Sequence, residues 1–481
     1  MKKLVFKIVI LVIVLFGCNC KKNKSPELIN AEIPQVGKIN QLITFKVKAK
    51  DPEGEKISFK FDFGDNNQSD WSSYFLSEST YRDTHTYQYP GQFVVQVKIK
   101  DIKGKESDWI KIGEIAIAPL TPGEVFWVFV CEEDGDTASF YSTPIIDEED
   151  SLIFVACEKG HLHAIQFNGK EKWRFSLLEE ERIISSPLMD DYKNIYFVTE
   201  DGKAVSLTKD GQVRWERDLF NTFYASPSLG KNNEIYLQSE DSIFVFSNTG
   251  VLLWTKGNGG GSNSPIIDLE GNVYFASEKD SLFLAYDYNG VTRFIFTFDC
   301  AVINSPFFIN SKKILLGLEN NQIVCIDIRG ETLWSRILGE PITSSGVLFD
   351  DTNFYVVTKY GNVYKGDGNG NFMPIISIPC DLTSSLAISE DNYLYFRASW
   401  EDEEYDTLYC FTTDGKIIFR TPIPGEDESE DWEILASPKI GPDGTVYSAT
   451  AKGLYAIVSK GKFKNTGWYS FRKDNRNTGR R

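Results

Sequence analysis

Eight times between Thr143 and Tyr455 the chain repeats one pattern: a Ser-Pro-like start, a turn rich in Asp, Gly or Asn, a short aromatic strand, a second strand, and a closing aromatic. Pro144, Pro187, Pro227, Pro265 and Pro306 open five copies, Gly346 and Leu386 hold the slot in two more, and Pro438 opens the last. Steps of 38 to 52 residues, with several short strands per unit, predict a β-propeller, because a small sheet has two apolar faces that only neighbouring sheets can cover. Residue type then follows position within a copy. Pro suits the first residue of an inner strand, where a missing N–H costs least. Ile195, Tyr196, Phe197 and Val198 are β-branched or aromatic, as suits a strand covered on both faces. Asp210-Gly211 marks a tight two-residue turn between the third and fourth strands. Trp173, Trp215, Trp254 and Trp334 fall 27 to 29 residues after their opening Pro, where a large ring wedges between neighbouring sheets.

The segment from Gly123 to Trp127 reads as a fourth strand with no three before it, and the last copy has three strands followed by a divergent tail. A strand from the N-terminal side completing the last sheet would latch the ring and remove two open edges, giving eight blades. Trp468, 30 residues after Pro438, is the rival for that strand.

The copies resemble the pyrroloquinoline-quinone-like (PQQ-like) propeller repeats, through Asn168-Gly-Lys-Glu-Lys-Trp173, Lys209-Asp-Gly-Gln-Val-Arg-Trp215 and Arg329-Gly-Glu-Thr-Leu-Trp334. The resemblance runs over about residues 123–481 and implies a fold; one fold hosts unrelated activities. Before the ring, residues 43–49, 57–63 and 93–99 alternate apolar and polar side chains, which predicts a small β-sandwich. Phe61-Asp-Phe-Gly-Asp65, His85-Thr-Tyr87, Pro90-Gly-Gln-Phe93 and Asp101-Ile-Lys-Gly104 resemble a PKD domain, an immunoglobulin-like module that generally serves as spacer or adhesive unit. The expected fold is therefore all-β, an N-terminal immunoglobulin-like (PKD) sandwich followed by an eight-bladed β-propeller. The expected layout is a signal peptide at 1–17, a tether at 18–26, the sandwich at 27–118, a linker at 119–123 and the propeller at 124–481.

The N-terminal residues are cationic and lead into an apolar run from Ile8 to Phe16 that ends in Gly17-Cys18. The run is short of the ~20 residues needed to span a bilayer, and Leu15-Phe-Gly-Cys18 resembles a bacterial lipobox, which makes Cys18 the lipidated first mature residue. The resemblance implies an extracytoplasmic protein held in the cell envelope, at the outer membrane or cell surface. Removing 1–17 takes three lysines and moves the net charge from −17 to −20. Phosphate-rich partners are repelled by such a surface, so nucleic acid is excluded as a partner.

No catalytic residue is assigned. Quinoprotein dehydrogenases share the propeller, but the adjacent cysteines and the Asp, Asn and Glu set that the resemblance would require are not present as a group. The cysteines beyond Cys18 are seven and scattered, and read as free thiols. His161 and His163 share one strand face, yet the third histidine of the chain, His85, lies in the other domain, so both read as structural. Asp51, Asp62 and Asp65, with Glu53 and Asp101, are the carboxylates Ca²⁺ would use, although capping turns is the ordinary role of such residues; no metal site and no cofactor are assigned beyond that.

Acidic insertions carry the functional clue. In an up-and-down sheet, loops between second and third strands emerge on the same side as the connections between sheets. Four insertions obey that parity: Glu132, Glu133, Asp134 and Asp136; Glu179, Glu180 and Glu181; Glu401, Asp402, Glu403 and Glu404; and Asp427 and Glu428 in the stretch 426–433. Trp400 and Trp432 lie among them. Aromatics set among loop charges are binding anchors, or else rings tucked against their own sheets beneath a solvated rim. The leading reading is a non-catalytic, lipid-anchored scaffold that recognises a protein or polysaccharide through this face, with envelope assembly implied by the propeller resemblance. The alternatives are a quinone- or calcium-dependent oxidoreductase and a carbohydrate-binding adhesin.

Overall fold

Alternation of apolar side chains builds the first unit, which ends at Leu120. In Leu42–Lys50 the residues Ile43, Phe45, Val47 and Ala49 are buried while their neighbours face outward. Gly91–Asp101 repeats the pattern with Val95, Val97 and Ile99. The computed structural model describes residues 22–133, 135–177, 181–257, 261–401, 403–425 and 436–481, so the expected signal peptide and Cys18 lie outside the described residues. Two sheets face each other in this unit: Glu27–Glu32, Leu42–Lys50 and Thr80–Thr86 form one, and Val36–Lys38, Ile110–Ala118, Gly91–Asp101 and Ile57–Asp62 form the other. The Phe61–Asp65 motif is a turn. Asp62 Oδ1 accepts the Gly64 N–H at 2.9 Å, Asp65 Oδ2 meets His85 Nε2 at 2.7 Å, and the His85 ring stacks on Phe63 at 4.1 Å.

The second unit begins at Thr121 and, among the described residues, forms eight successive antiparallel sheets of at least four strands, numbered 1 to 8 here by their first strands. Sheets 1 to 6 span residues 145–176, 188–218, 228–256, 266–297, 307–337 and 347–377, each with four strands in sequence order. Sheet 7 spans 387–424 and takes an extra short strand, Leu382–Thr383. In sheet 8, Lys439–Ile440, Val446–Thr450 and Gly453–Ile457 are completed by Val125–Phe129, with Ala456 opposite Trp127 and Leu454 opposite Phe129. The closing strand thus comes from the N-terminal side, and Trp468 plays another part. Among the described residues every regular element is a strand, and no helix is long and apolar enough to cross a membrane.

Near the rim, the repeat's Trp and Gly meet. Trp173 Nε1 donates to Lys209 O in sheet 2 at 3.2 Å, and a Cβ on Gly211 would lie 3.0 Å from the Trp173 ring. The same indole-to-carbonyl bond joins Trp215 to Asn248, Trp254 to Tyr288 and Trp334 to Gly368. Trp127 bonds Phe167 O at 2.8 Å over Gly169, so the seam between sheets 8 and 1 is docked like the others. The turn itself is one residue longer than the two-residue hairpin expected at Asp210-Gly211. Thr208 and Gln212 close a loop of three residues with Gly211 at φ +80° and a bulge at Ser206/Leu207. That bulged form needs a left-handed residue after a type I turn, and glycine adopts it without leaving a side chain under the indole.

At the hub, the residue before each opening slot supplies a hydroxyl. The N–H of Thr143 donates to Ser186 Oγ, Ser186 to Ser226, Ser226 to Ser264, and Ser264 to Ser305. Ser345 donates to Ser385, Ser385 to Ser437, and Ser437 back to Thr143 Oγ1. These seven bonds measure 2.9–3.2 Å. Ser345 Oγ is buried and accepts nothing, so the run is open between sheets 5 and 6.

The tail fills what lies below. Trp468 is 2% exposed and packs against Phe308 of sheet 5. The tail then follows the inner strands in ring order: Trp468 O accepts from Leu348, Tyr469 O from Ile388, Asn475 O from Ile146, Arg476 O from Met189, Thr478 O from Leu229 and Gly479 O from Ile267. Sheet 8 joins through Asn475 Nδ2 to Ile440 O at 2.9 Å. Inner strands of a propeller carry unpaired N–H groups on their hub edge, and burying these without partners costs as much as losing the bond. Tail carbonyls supply those partners. Lys439, fully buried, reaches Ser470 Oγ, Phe471 O and Asp474 O, and Arg472 bonds Pro265 O and Pro227 O. Burial pushes Lys439 down to about 7, with Asp474 opposing that and Arg472 adding to it.

Candidate functional site

Above Phe471 of the tail, the hub opens into a cavity of about 400 Å³. All eight residues of the hydroxyl run line it, and Phe471 forms its floor. Farther out stand Tyr141, Tyr224 and Tyr360, then Glu278, Glu319 and Lys359. Glu278, Glu319, Lys359 and Tyr360 come from loops between second and third strands, and Tyr141 and Tyr224 from the connections entering sheets 1 and 3; one recurring bond ties such loops to such connections. The N–H of Glu158, Glu200, Glu240, Glu319 and Lys359 donates to Ser139, Arg182, Thr222, Ala301 and Pro341 O respectively. Each acceptor lies in the connection entering the same sheet, so these loops and connections share one side of the ring, as strand parity requires.

Those loops repeat a glutamate. Glu158, Glu200, Glu240, Glu278 and Glu319 stand just after the second strand of sheets 1 to 5. Their field is felt at the mouth: burial raises the Tyr224 hydroxyl above its ordinary value, and Glu200 and Glu240 raise it further. The sequence reading passed over this series because it weighed only the enlarged insertions; aligning the copies on their opening Pro was enough to find it.

Of the expected binding residues, Glu132, Asp136, Glu401, Glu403 and Glu404 are exposed. Glu181 is buried and paired with Lys203. Trp400 is half-buried, donating its indole N–H to Pro379 O at 3.0 Å and packing on the core of sheets 6 and 7. Asp406, near the third insertion, is buried against Arg397 at 3.2 Å. Asp134, Glu179, Glu180, Asp402, Asp427, Glu428 and Trp432 lie outside the described residues, as does the side chain of Glu133.

In the first unit the carboxylates considered for Ca²⁺ cap turns. Asp51 Oδ1 accepts from Glu53 and Glu55 N–H, Asp62 from Gly64 and Gln68, and Asp101 from Lys105 N–H and Asn23. Burial alone would raise Asp65, but hydrogen bonds from His85 and Asn67 outweigh it and hold the carboxyl below its ordinary value.

Residues 28–113 match the family model of the PKD domain, and residues 158–293 match that of the outer membrane protein assembly factor BamB, a PQQ-like repeat model. The chain is a PKD domain followed by a PQQ-like β-propeller. Among solved structures it is similar to BamB from Moraxella catarrhalis, with a TM-score of 0.54 and 15% identity over 71% of this chain and 98% of that one. The computationally designed Ika8 protein gives 0.55 and 14% over 70% and 99%, and the C-terminal WD40 domain of Sif2 gives 0.53 and 10% over 69% and 99%. At these identities the likeness is one of fold. No curated protein matches the chain. The mouth of this propeller is a hydroxyl-walled cavity with acidic residues around it and Phe471 of the tail among its lining residues.

Proposed function

We propose that the protein is a non-catalytic, lipid-anchored extracytoplasmic scaffold whose propeller mouth binds a basic segment of a partner protein, in keeping with a role in envelope assembly. The acidic collar around the mouth carries this reading. Glu278 and Glu319 flank a wall of neutral hydroxyls, and carboxylates on a rim draw and orient cationic side chains while the neutral wall accepts their hydrogen bonds. The cavity is of the size that takes a few side chains rather than a whole domain. Support for the setting comes from the lipobox-like Cys18 and the match to the BamB model.

Affinity capture from native envelopes, using the full-length lipidated protein and a Glu278→Lys/Glu319→Lys variant, tests the proposal. Loss of a specific protein from the variant's eluate, at unchanged variant stability, is the expected result. An identical set of captured proteins removes the mouth as the binding face. Cys18→Ser should release the protein from the membrane fraction; continued membrane retention would sink the lipid-anchor element.

A further inference from the structure

The strand that closes the ring ends at Phe129, and two residues later Cys131 begins a short hairpin, Cys131–Glu133 with Asp136–Ala138. Cys131 lies over the seam between sheets 8 and 1, in a core shared by Ala449 and Leu454 of one and Ile153 and Val155 of the other. There it meets sheet 1. Cys131 Sγ is 3.4 Å from Cys157 Sγ, and donor atoms of Cys131, Cys157 and His163 all fall within 4.8 Å of one another. The three are 1%, 0% and 1% exposed.

His163 decides what the trio is for. Its Nδ1 lies 2.7 Å from Glu171 Oε1, which fixes the ring and leaves Nε2 as the free lone pair. That Nε2 is buried and has no hydrogen-bond partner. A carboxylate holding one imidazole nitrogen while the other waits unpaired is the arrangement seen behind metal-ligating histidines. A disulfide between the two sulfurs would use both thiols and still leave the buried Nε2 without a partner.

We infer that Cys131, Cys157 and His163 form a binding site for a thiophilic cation, Zn²⁺ foremost, that rivets the closing segment to sheet 1. A tetrahedral ion with bonds of about 2.3 Å to sulfur sets its two sulfurs about 3.8 Å apart, a few tenths of an ångström beyond the separation seen. Two thiolates with one Zn²⁺ make a neutral assembly, which suits a buried site; Cu⁺ with the same donors would leave a negative charge. Binding would release the two thiol protons to solvent.

The test uses the full chain purified anaerobically and loaded in parallel with Zn²⁺, Co²⁺ or Cu⁺. One equivalent of Zn²⁺ retained through gel filtration, and a cobalt form with a thiolate charge-transfer band and tetrahedral visible bands, are expected; preferential retention of Cu⁺ would keep the site and change the ion. Cys131→Ser and His163→Ala should abolish retention, while Cys325→Ser, a buried cysteine elsewhere, should not. Because core variants can misfold, Glu171→Gln is the sharper probe: its side chain is 37% exposed, and losing the carboxylate should weaken the metal about 10- to 100-fold in an otherwise folded protein. A Cys131–Cys157 disulfide in protein alkylated during extraction from its host overturns the inference, as does a folded, reduced chain that retains none of the three ions.

Discussion

Neighbouring sheets of the propeller are joined near the rim by an indole docked on a turn glycine, and at the hub by a hydroxyl run with the C-terminal tail beneath it. The rim contacts are local in design: at seven of the eight junctions a Trp or Phe lies over a glycine of the neighbouring sheet, whereas between sheets 6 and 7 Gly415 meets Ile375. The hub is mixed. Its serines belong to the repeat, but the fourteen residues from Trp468 to Arg481 have no counterpart in any copy and touch nearly every sheet. Rim contacts therefore fail one at a time, whereas the tail is shared and fails for all sheets together.

That contrast is open to direct attack. Ending the chain at residue 465 removes the carbonyl partners of six inner-strand N–H groups together with the buried Trp468 and Arg472. At about 1 kcal/mol net per hydrogen bond, the loss should exceed about 5 kcal/mol and destroy cooperative urea unfolding. An intact unfolding midpoint would show that the rim alone suffices. Trp127→Ala should come next, costing about 3–5 kcal/mol as a large half-buried ring is lost from the seam; a markedly smaller shift in urea midpoint would mean that the seam is held chiefly by strand pairing.

Within the hydroxyl run, two serines give a matched pair. Ser226→Ala strips the acceptor from the buried Ser186 N–H and should cost about 1–3 kcal/mol. Ser345→Ala removes an oxygen that has no partner and should fall within about 0.5 kcal/mol of the parent. Equal effects in chemical denaturation would show that the bonds carry no net stability. A further effect concerns pH. Lys439 binds its proton less tightly when folded, near 7, than at its ordinary 10.5, so the unfolded chain holds more proton between those values. Stability should rise as pH climbs from about 7 towards 10.5, and Lys439→Met should flatten that rise in thermal melts.

Much of this architecture can be read before any coordinates. The opening Pro, the aromatic second strand and the Gly-to-Trp spacing each answer a local demand, and a local demand repeated in the chain is visible in it. Trp127 was legible for the same reason, since its segment looks like the fourth strand of a copy. Trp468 misled because its 30-residue offset from Pro438 imitates the rim slot, while its true role depends on lying across Phe308 and Leu348, more than a hundred residues away. The Cys131, Cys157 and His163 cluster was hidden for a different reason. Cys131 comes from an irregular hairpin before sheet 1 that has no counterpart in the other copies, so no spacing rule anticipates its meeting with Cys157 and His163. The tuck of Trp400 against Pro379 is likewise a property of one irregular loop, whereas the glutamate series from Glu158 to Glu319 was written into the period throughout.

Sheet 8 pairs Leu454 with Phe129, residues 325 positions apart, and this sets a timetable. A chain synthesised N-terminus first exposes Val125–Phe129 early, with its partner still to come. The first unit, whose pairings all lie before residue 119, completes itself at once, but the propeller waits as an open arc through seven sheets. Pairings this distant are slow to form and leave an edge available to other chains in the meantime. The tail arrives after the closing partner, so the hub is stoppered only once there is a ring to stopper, and maturation ends in a single late step that a folding helper would need to guard.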